Sequence, residues 1–162
     1  MAKPVAHTVT LAVPEQARAA CRDILATLPE WFGQADANAA YLRDIADKST
    51  LIVTDASGPL GMIALDFHFE TTAEIWLMAV RADRHRQGVG RALMETALEF
   101  SQGKGCSRAM VKTLSARNPD PGYAATRAFY RAVGFRPLIE FNQTDPTNPM
   151  MWMDQALYGS AP

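Results

Sequence analysis

Residues 73–91 contain the sequence feature that most limits how this chain can fold. A strand-like apolar run at 75–80 leads into a basic turn, and two glycines, Gly88 and Gly90, then open a segment with helical spacing of its apolar residues. The first N–H groups of a helix have no partner inside the helix and carry the positive end of its dipole. Phosphate is the usual ligand of such a helix start. The segment therefore predicts a strand–turn–helix unit that binds an anion.

The remaining sequence predicts a single domain, 1–162, because 162 residues suit one hydrophobic core. Apolar spacing and turn residues predict strands at 8–13, 51–54, 60–69, 74–80, 108–114, 135–141 and 150–156. Helices are predicted from Pro14 to before Pro29, from a cap at Asp36, from 89 to Gly103 or Gly105, and over 123–133. This order predicts an α/β (or α+β) fold in which a mixed sheet carries helices on its faces.

Composition and charge limit the kind of partner that we expect. A net charge of −1 argues against nucleic acid, and no apolar run approaches the roughly 18 residues of a membrane span. Cys21 and Cys106 do not make a disulfide scaffold, which indicates a reducing compartment. His7, His68 and His85 are too scattered in the sequence to indicate a metal site. We therefore expect a cytoplasmic protein that uses no metal, nucleic acid or membrane.

The glycine turn by itself leaves its function open. It is not a Walker loop, because no Gly-Lys-Ser/Thr follows. It also lacks the third glycine of the dinucleotide fingerprint, and its strand belongs to a hairpin. A plain helix start with two glycines would look the same.

A second motif narrows the choice of family. Tyr130 lies on a predicted helix one turn before Gly134 and Phe135, which end it. With the segment His85-Arg-Gln-Gly-Val-Gly90, this motif resembles the GNAT acetyltransferase family, whose loop reads Gln/Arg-x-x-Gly-x-Gly/Ala and whose later motif is Tyr-x-x-x-Gly-Phe. His85 departs from the first position of the loop motif. Tyr123 stands where many members carry Asn, so an Asn-mediated contact is not carried over.

The resemblance implies a mostly antiparallel central sheet with helices on both faces, acetyl-CoA as co-substrate and a primary amine as acceptor. The cofactor pyrophosphate is expected on the N–H groups of residues 86–91, and the pantetheine arm along the strand end. The residues implied in cofactor binding are Met78, Ala79, Val80, His85, Arg86, Gln87, Gly88, Val89, Gly90, Arg91 and Phe129. Arg84, Arg86 and Arg91 either add positive charge near the phosphates or form a solvated basic turn.

Glu74 and Tyr130 are the predicted catalytic residues. Glu74 looks like the glutamate of the histone acetyltransferase branch, at the same distance before the glycine loop. Strand alternation places it on one face with Trp76, Met78 and Val80. A carboxylate on a mostly apolar face is costly unless it is used or paired. The alternatives are a strand-end glutamate that reaches solvent and a tyrosine that packs in the core.

Together these features predict an N-acetyltransferase in which the amine attacks acetyl-CoA directly. Glu74 acts as general base, directly or through water, and Tyr130 as general acid. A non-catalytic acyl-CoA-binding sensor or interaction module, and a generic nucleotide-binding domain, remain as alternatives. The small-molecule or peptide acceptor and a homodimeric assembly stay open. Trp31, Phe32 and Tyr41 either line the acceptor site or pack in the core.

Overall fold

A computed structural model of the chain describes residues 6–141 and 145–158. Its helices and strands follow one another in the predicted order. The strands are β1 (Val9–Leu11), β2 (Ser49–Asp55), β3 (Gly58–His68), β4 (Thr72–Val80), β5 (Arg108–Leu114), β6 (Arg136–Phe141) and β7 (Met150–Ala156). The helices are α1 (Pro14–Leu25), α2 (Ala35–Asp44), α3 (Val89–Gly103) and α4 (Pro121–Ala132). Short 3₁₀ segments lie at Ile45–Asp47 and Ala82–Arg84.

The strands form a seven-stranded sheet in the order β1-β2-β3-β4-β5-β7-β6. Antiparallel pairing joins β1 to β2, β2 to β3, β5 to β7 and β7 to β6. β4 and β5 pair in parallel, with α3 as the crossover between them. The predicted mixed, mostly antiparallel sheet is therefore confirmed.

Contacts along the chain divide it into two compact units. The first consists of Met1–Asp66 and Leu77–Ala97, and the second of Phe67–Trp76 and Leu98–Pro162. The expectation of a single domain over 1–162 stays a prediction, and its ends, 1–5 and 159–162, lie outside the described residues.

In the first unit, the apolar stripe of α1 forms part of the core. Pro14 is the first residue of this helix, a position that loses no hydrogen bond because its N–H would have no partner there. Ile24 and, in the 3₁₀ segment that follows α2, Ile45 are fully buried. The buried residues of α1 recur at helical spacing, and they are Ala17, Ala20, Cys21, Ile24 and Leu25. Burial raises the pKa of the Cys21 thiol to about 11, so it is a small apolar group of the core.

In the second unit, one face of the sheet is sealed and the other carries polar side chains. Ala73, Ala109 and Met153 are fully buried on the sealed face. Ala73 pairs with Ala109, so Glu74 and Met110, the next pair in register, belong to the other face. The strand register thus fixes which residues can surround Glu74.

Most of the predicted element boundaries differ from the structure by one to three residues, and those at α2, β1 and α4 have a clear physical reason. Asp36 does not cap α2, which begins at Ala35 with Gln34 before it, so Asp36 lies in the first turn. An acidic side chain there still favours the helix, because it faces the positive end of the dipole. The strand predicted at 8–13 is shorter than expected, because Val13 precedes Pro14 as the N-cap of α1.

α4 begins earlier than the predicted residue 123, at Pro121. Its start is fixed by Asp120, whose Oδ1 accepts hydrogen bonds from the N–H of Gly122 at 2.7 Å and of Tyr123 at 3.3 Å. Aspartate is a favoured residue at the N-cap, and proline is a favoured residue at the first position of the helix. The apolar periodicity, which begins only at residue 123, did not reveal it.

Candidate active site

The turn between β4 and α3 has the backbone conformation that a phosphate loop needs. Arg86 and Gly88 both have positive φ, +61° and +86°. Turns with such residues point successive N–H groups at a common point and form anion-binding concavities. A Cβ added to Gly88 would have the His7 ring as its nearest neighbour, 3.9 Å away. Gly88 is therefore required for its backbone angle, and open space lies beside it.

Three side-chain contacts to backbone carbonyls hold this turn. His85 Nε2 lies 2.7 Å from the carbonyl oxygen of Val80, so its ring folds back on the strand end. The side-chain amide of Gln87 donates to the Asp83 carbonyl at 2.9 Å. His7 Nε2 lies 2.8 Å from the carbonyl oxygen of Gln87. His85, the residue that departs from the family motif, is thus used within the turn.

The start of α3 presents N–H groups that the helix itself cannot satisfy. The N–H of Ala92 donates to the carbonyl of Gly88 at 3.0 Å. The N–H groups of Val89, Gly90 and Arg91 come before this bond and have no acceptor four residues back in the helix. They carry the positive end of the α3 dipole, so the turn and helix start suit a phosphate.

The arginines of this segment are weakly engaged. A guanidinium nitrogen of Arg84 lies 3.6 Å from a carboxylate oxygen of Asp55, and one of Arg91 lies 3.8 Å from Glu95. Arg86 is exposed, and no residue of the described chain forms an ion pair with it. Exposed pairs at these distances hold their side chains loosely. The positive charge of the turn thus stays available to an anion.

Residues Met78, Ala79 and Val80 form the last part of β4. Ala79 is buried, whereas Met78 and Val80 are half-buried, as strand alternation predicts. The pairing of β4 with β5 covers Thr72–Ile75, so these three residues lie beyond it. Backbone groups beyond a pairing region can bind an extended ligand by strand addition.

Glu74 is buried and paired, not exposed at a strand end. Its relative exposure is 6%, and its two carboxylate oxygens have different partners. His68 Nε2 lies 2.6 Å from Oε2, and Lys112 Nζ lies 3.0 Å from Oε1. A buried carboxylate needs such partners, because an unpaired charge away from water is costly.

Tyr130 is a buried phenol on α4. Its exposure is 8%, and its ring packs at 5.7 Å between centroids against both Phe129 and Phe135. Burial raises the pKa of Tyr130 to about 12, so the hydroxyl keeps its proton at neutral pH. No residue of the described chain forms a hydrogen bond with this hydroxyl. A hydroxyl without a protein partner is free to donate to a ligand.

Arg127 is a buried arginine of α4 that was not predicted from the sequence. It lies one turn before Tyr130 on α4 and is 8% exposed. Its Nη1 donates to the carbonyl oxygens of Leu114 at 2.9 Å and Ser115 at 3.0 Å, which ties α4 to the end of β5. The available signal was an arginine on the apolar face of a helix, where a charged group has to have a partner.

The partners of Glu74 were not predicted from the sequence either. His68 was expected only as a possible metal ligand, and no role was expected for Lys112. Strand alternation could have placed both on the face of Glu74, but only with the strand order known. In the described chain, no three His, Cys, Asp or Glu side chains gather as a metal site would require.

The burial of three aromatic residues near α2 is intermediate between what a core position and an exposed lining of the acceptor site would give. Trp31, Phe32 and Tyr41 are all half-buried. The Phe32 and Tyr41 rings pack edge to face at 6.0 Å between centroids. Asn38 donates to the Phe32 carbonyl at 2.6 Å. Phe32 and Tyr41 thus form a half-buried aromatic pair, and the part of all three aromatic residues in acceptor binding stays a prediction.

Comparison with protein-family models decides the family. A model described as "Acetyltransferase (GNAT) domain" matches residues 46–137, more than half of the chain, including the glycine turn and the Tyr130 motif. This chain belongs to the GNAT acetyltransferase family. The family resemblance seen in the two motifs is confirmed.

The GNAT fold recurs in solved structures of low sequence identity. A GNAT-family protein from Desulfovibrio desulfuricans superposes with a TM-score of 0.79 at 17% identity, over 94% of this chain and 100% of that one. An aminoglycoside 6'-N-acetyltransferase in complex with coenzyme A gives 0.73 at 15% identity, over 96% and 99%. The ribosomal-protein-S18-alanine N-acetyltransferase of Escherichia coli gives 0.73 at 17%, over 96% and 97%. At these identities the likeness concerns the fold.

The chain has no match among curated protein sequences. Within the residues that the structure describes, no helix has the length and hydropathy to cross a bilayer.

Proposed function

We propose that this GNAT protein is an N-acetyltransferase that moves an acetyl group from acetyl-CoA to a primary amine. Family membership supports the reaction class, and the turn at Gly88 supports binding of a phosphate-bearing co-substrate. The observation that carries catalysis, rather than binding alone, is Tyr130, a buried phenol whose hydroxyl has no partner among the described residues. An acyl-CoA sensor would need the glycine turn but would have no use for this hydroxyl.

The residues at the turn fit a pyrophosphate. The N–H groups of residues 86–91 would bind it, with Gly88 allowing close approach, and Arg86 and Arg91 would add positive charge. The backbone of Met78, Ala79 and Val80 would pair with the pantetheine amides, and Phe129 would contact the co-substrate beside Tyr130. Acetyl-CoA supplies an activated acetyl group as a thioester.

Glu74 is proposed as the group that prepares the acceptor. A lysine-like ammonium has a pKa of about 10, so only about a thousandth of it is free amine at neutral pH. Glu74 would take a proton from the ammonium, directly or through one water, and leave a lone pair on nitrogen for attack on the thioester carbon. Its carboxylate retains lone pairs beyond those that face His68 and Lys112.

Tyr130 is proposed as the group that protonates the leaving sulfur. When the C–S bond breaks, the electron pair stays on sulfur, and the Tyr130 hydroxyl would donate its proton there. The phenolate would recover a proton from the new amide nitrogen. Of the two protons that the ammonium loses, one reaches solvent and one ends on sulfur.

The acceptor is proposed only as a primary amine. The two acetyltransferases named above act on an aminoglycoside and on the alanine of ribosomal protein S18, and both present an amino group. A single-domain organisation, a cytoplasmic location and a homodimer remain proposals beside it.

The test of this function begins with binding. Calorimetry of the parent protein with acetyl-CoA should give low-micromolar to sub-millimolar affinity, and ATP and NAD should bind far more weakly. Gly88→Glu should abolish binding, because its carboxylate would stand in the place of the phosphate. Gly88→Gln is the matched control, since it has the same size and backbone strain but no charge. If both variants lose binding equally, strain alone accounts for the effect, and if neither does, the loop assignment is wrong.

Turnover is tested by release of thiol from acetyl-CoA in the presence of a panel of amines that includes aminoglycosides, polyamines and peptides with a free N-terminus. Acetylation of at least one amine supports the enzyme. Tight acetyl-CoA binding without acetylation of any amine would favour the acyl-CoA-binding module.

A further inference from the structure

Glu74 is held between two nitrogen groups that come from the strands on either side of it. His68 is the last residue of β3, and Lys112 lies in β5. Glu74 is in register with Met110, so Lys112 is two residues further along the same face of β5. Both carboxylate oxygens are engaged, Oε2 by His68 at 2.6 Å and Oε1 by Lys112 at 3.0 Å. The orientation of the carboxylate is therefore fixed from two sides.

The two partners are chemically different. Lys112 is an ammonium, which only donates, and it also lies 5.3 Å from the centroid of the Trp152 ring. His68 can be neutral or charged, because imidazole exchanges a proton with water near neutral pH. Two lone pairs would repel each other at 2.6 Å, so a proton lies between Nε2 and Oε2. With Lys112 beside an ionised Glu74, this proton belongs to His68 Nε2.

The exposure of the three side chains shows which of them water reaches. The side chain of Glu74 is 8% exposed, whereas those of His68 and Lys112 are 42% and 43% exposed. His68 can therefore take up a second proton from solvent on Nδ1 while its Nε2–H still faces Glu74. The buried carboxylate would then stand between two cations.

We propose that His68 is a positioning residue that orients Glu74 and makes its action as a base depend on pH. This rests on the proposed acetyl transfer. When His68 is neutral, its Nε2–H orients the carboxylate, and the remaining lone pairs of Glu74 accept the proton of the acceptor. When His68 is protonated, the imidazolium and Lys112 together hold the negative charge, and Glu74 no longer takes a proton from an ammonium. The acid limb of the rate profile thus reports the His68–Glu74 pair as a unit.

Four charged residues lie near His68 in the sheet or in the sequence. Glu74 on β4 and Lys112 on β5 face the cluster. Glu70 follows in the turn after β3, and Asp66, two residues before His68, is paired with Lys48 at 2.8 Å. Of these groups, Glu74 contacts the His68 ring directly, at 2.6 Å.

The first experiment follows the histidine rings by NMR in the protein without substrate. In Glu74→Gln, His68 should lose its ionised partner, and the resonance of its Nε2–H should move upfield from its position in the parent. His7 and His85 contact backbone carbonyls instead and serve as internal controls in the same spectra. An unchanged His68 resonance would overturn the proposal whatever the activity of the protein.

The second experiment compares pH–rate profiles of two variants at His68. His68→Gln keeps an N–H donor but cannot be protonated, so turnover at neutral pH should be largely kept and the acid limb should move to lower pH. His68→Ala loses the donor, and kcat should fall by about tenfold or more with acetyl-CoA binding unchanged. A merely structural role would lower both profiles without moving the limb, and that result would overturn the proposal.

Variants at two lysines provide a control in which the acid limb is expected to move in the opposite direction or not at all. Lys112→Gln removes a permanent cation from Oε1, so the acid limb should move to higher pH, opposite to its shift in His68→Gln. Lys104→Gln, at a lysine that lies over the Phe67 and Phe100 rings, should leave the limb in place. Equal behaviour of the two lysine variants would contradict the cluster.

Failure of this inference can be told apart from failure of the proposed function. An active parent whose acid limb is the same in His68→Gln means that only the role of His68 is wrong. A parent that binds acetyl-CoA but acetylates no amine means that the proposed function is wrong, and the NMR comparison with Glu74→Gln still decides whether His68 and Glu74 are paired.

Discussion

Glu74 and Tyr130 are two buried ionisable residues that differ in whether their polar atoms have hydrogen-bond partners. The carboxylate of Glu74 has a partner on each oxygen, which lets it remain charged although it is 6% exposed. The hydroxyl of Tyr130 has no partner in the described chain, and burial raises its pKa to about 12. A paired carboxylate suits a group that accepts protons, and an unpartnered phenol suits one that donates to a ligand.

Tyr130→Phe removes this hydroxyl and retains the ring that packs against Phe129 and Phe135. We expect the fold and acetyl-CoA affinity to survive, and kcat to fall by about 10²–10⁴-fold, the usual contribution of a positioned acid. The loss should shrink with an acyl donor whose thiol is more acidic. The measurement is steady-state turnover at saturating acceptor. Equal turnover of variant and parent would mean that Tyr130 only packs in the core and has no catalytic role.

The raised pKa of Tyr130 also predicts how stability depends on pH. Below about pH 10 the phenol is protonated in both the folded and the unfolded chain, so its contribution does not vary. Between about pH 10 and the folded pKa of about 12, the unfolded chain ionises first, and the free energy of unfolding falls. Denaturant titrations at pH 9 and pH 11 should show a smaller loss in Tyr130→Phe than in the parent, by about 1–2 kcal/mol. Tyr158→Phe, at a ring that is 86% exposed, should lose as much as the parent.

At the scale of elements, the position of α3 depends on a glycine in the neighbouring strand. A Cβ at Gly61 in β3 would lie 2.8 Å from Val89 Cγ1, 3.0 Å from Leu93 Cδ1 and 3.3 Å from the Ala79 carbonyl oxygen. Val89 and Leu93 are fully buried residues of α3. This close approach fixes the start of the helix, and with it the N–H groups that follow Gly88.

Gly61→Ala should therefore destabilise the protein by about 1–3 kcal/mol, the usual cost of overpacking a core. Adding Val89→Ala removes the nearest atom and should recover part of this loss, since the two sites are coupled. Gly103→Ala is the control, because a Cβ there meets nothing within 4 Å. The measurement is the free energy of unfolding in denaturant, and a Gly61→Ala variant as stable as Gly103→Ala would contradict the packing argument.

At the scale of the whole molecule, the two compact units share elements. β3, β4 and α3 each contribute residues to both units, so each unit contains only part of these three elements. The glycine turn belongs to the first unit, and Glu74 and Tyr130 belong to the second. If a strand or helix that the units share cannot form in one unit alone, the two units should unfold together.

Calorimetric unfolding should thus give one transition, with equal calorimetric and van't Hoff enthalpies. Acetyl-CoA at about one hundred times its dissociation constant should stabilise the folded state by about 2.7 kcal/mol and raise that whole transition by several degrees. Two separate transitions would contradict the single-domain prediction. If only one of two transitions moved with acetyl-CoA, binding would be confined to one unit.

Sequence alone was sufficient for the order of the elements and for the glycine turn. β5 and β7 have the predicted bounds, and α3 ends at Gly103, because strand alternation, helical spacing and glycine are local signals. The turn at Gly88 was also predictable, since a backbone that needs positive φ selects glycine at that one position. Asp36 shows the limit of such signals, because a residue that favours a cap is also accepted in the first turn.

The tertiary structure decided how the candidate site is held together. The contacts of Glu74 with His68 and Lys112, and of Arg127 with the end of β5, join residues far apart in the sequence. They depend on strand order and register, since a shift by one residue would turn each side chain to the other face. The sequence determined which groups have the chemistry. The sheet decided that Glu74 is buried between two donors, and burial on α4 raised the pKa of Tyr130 to about 12.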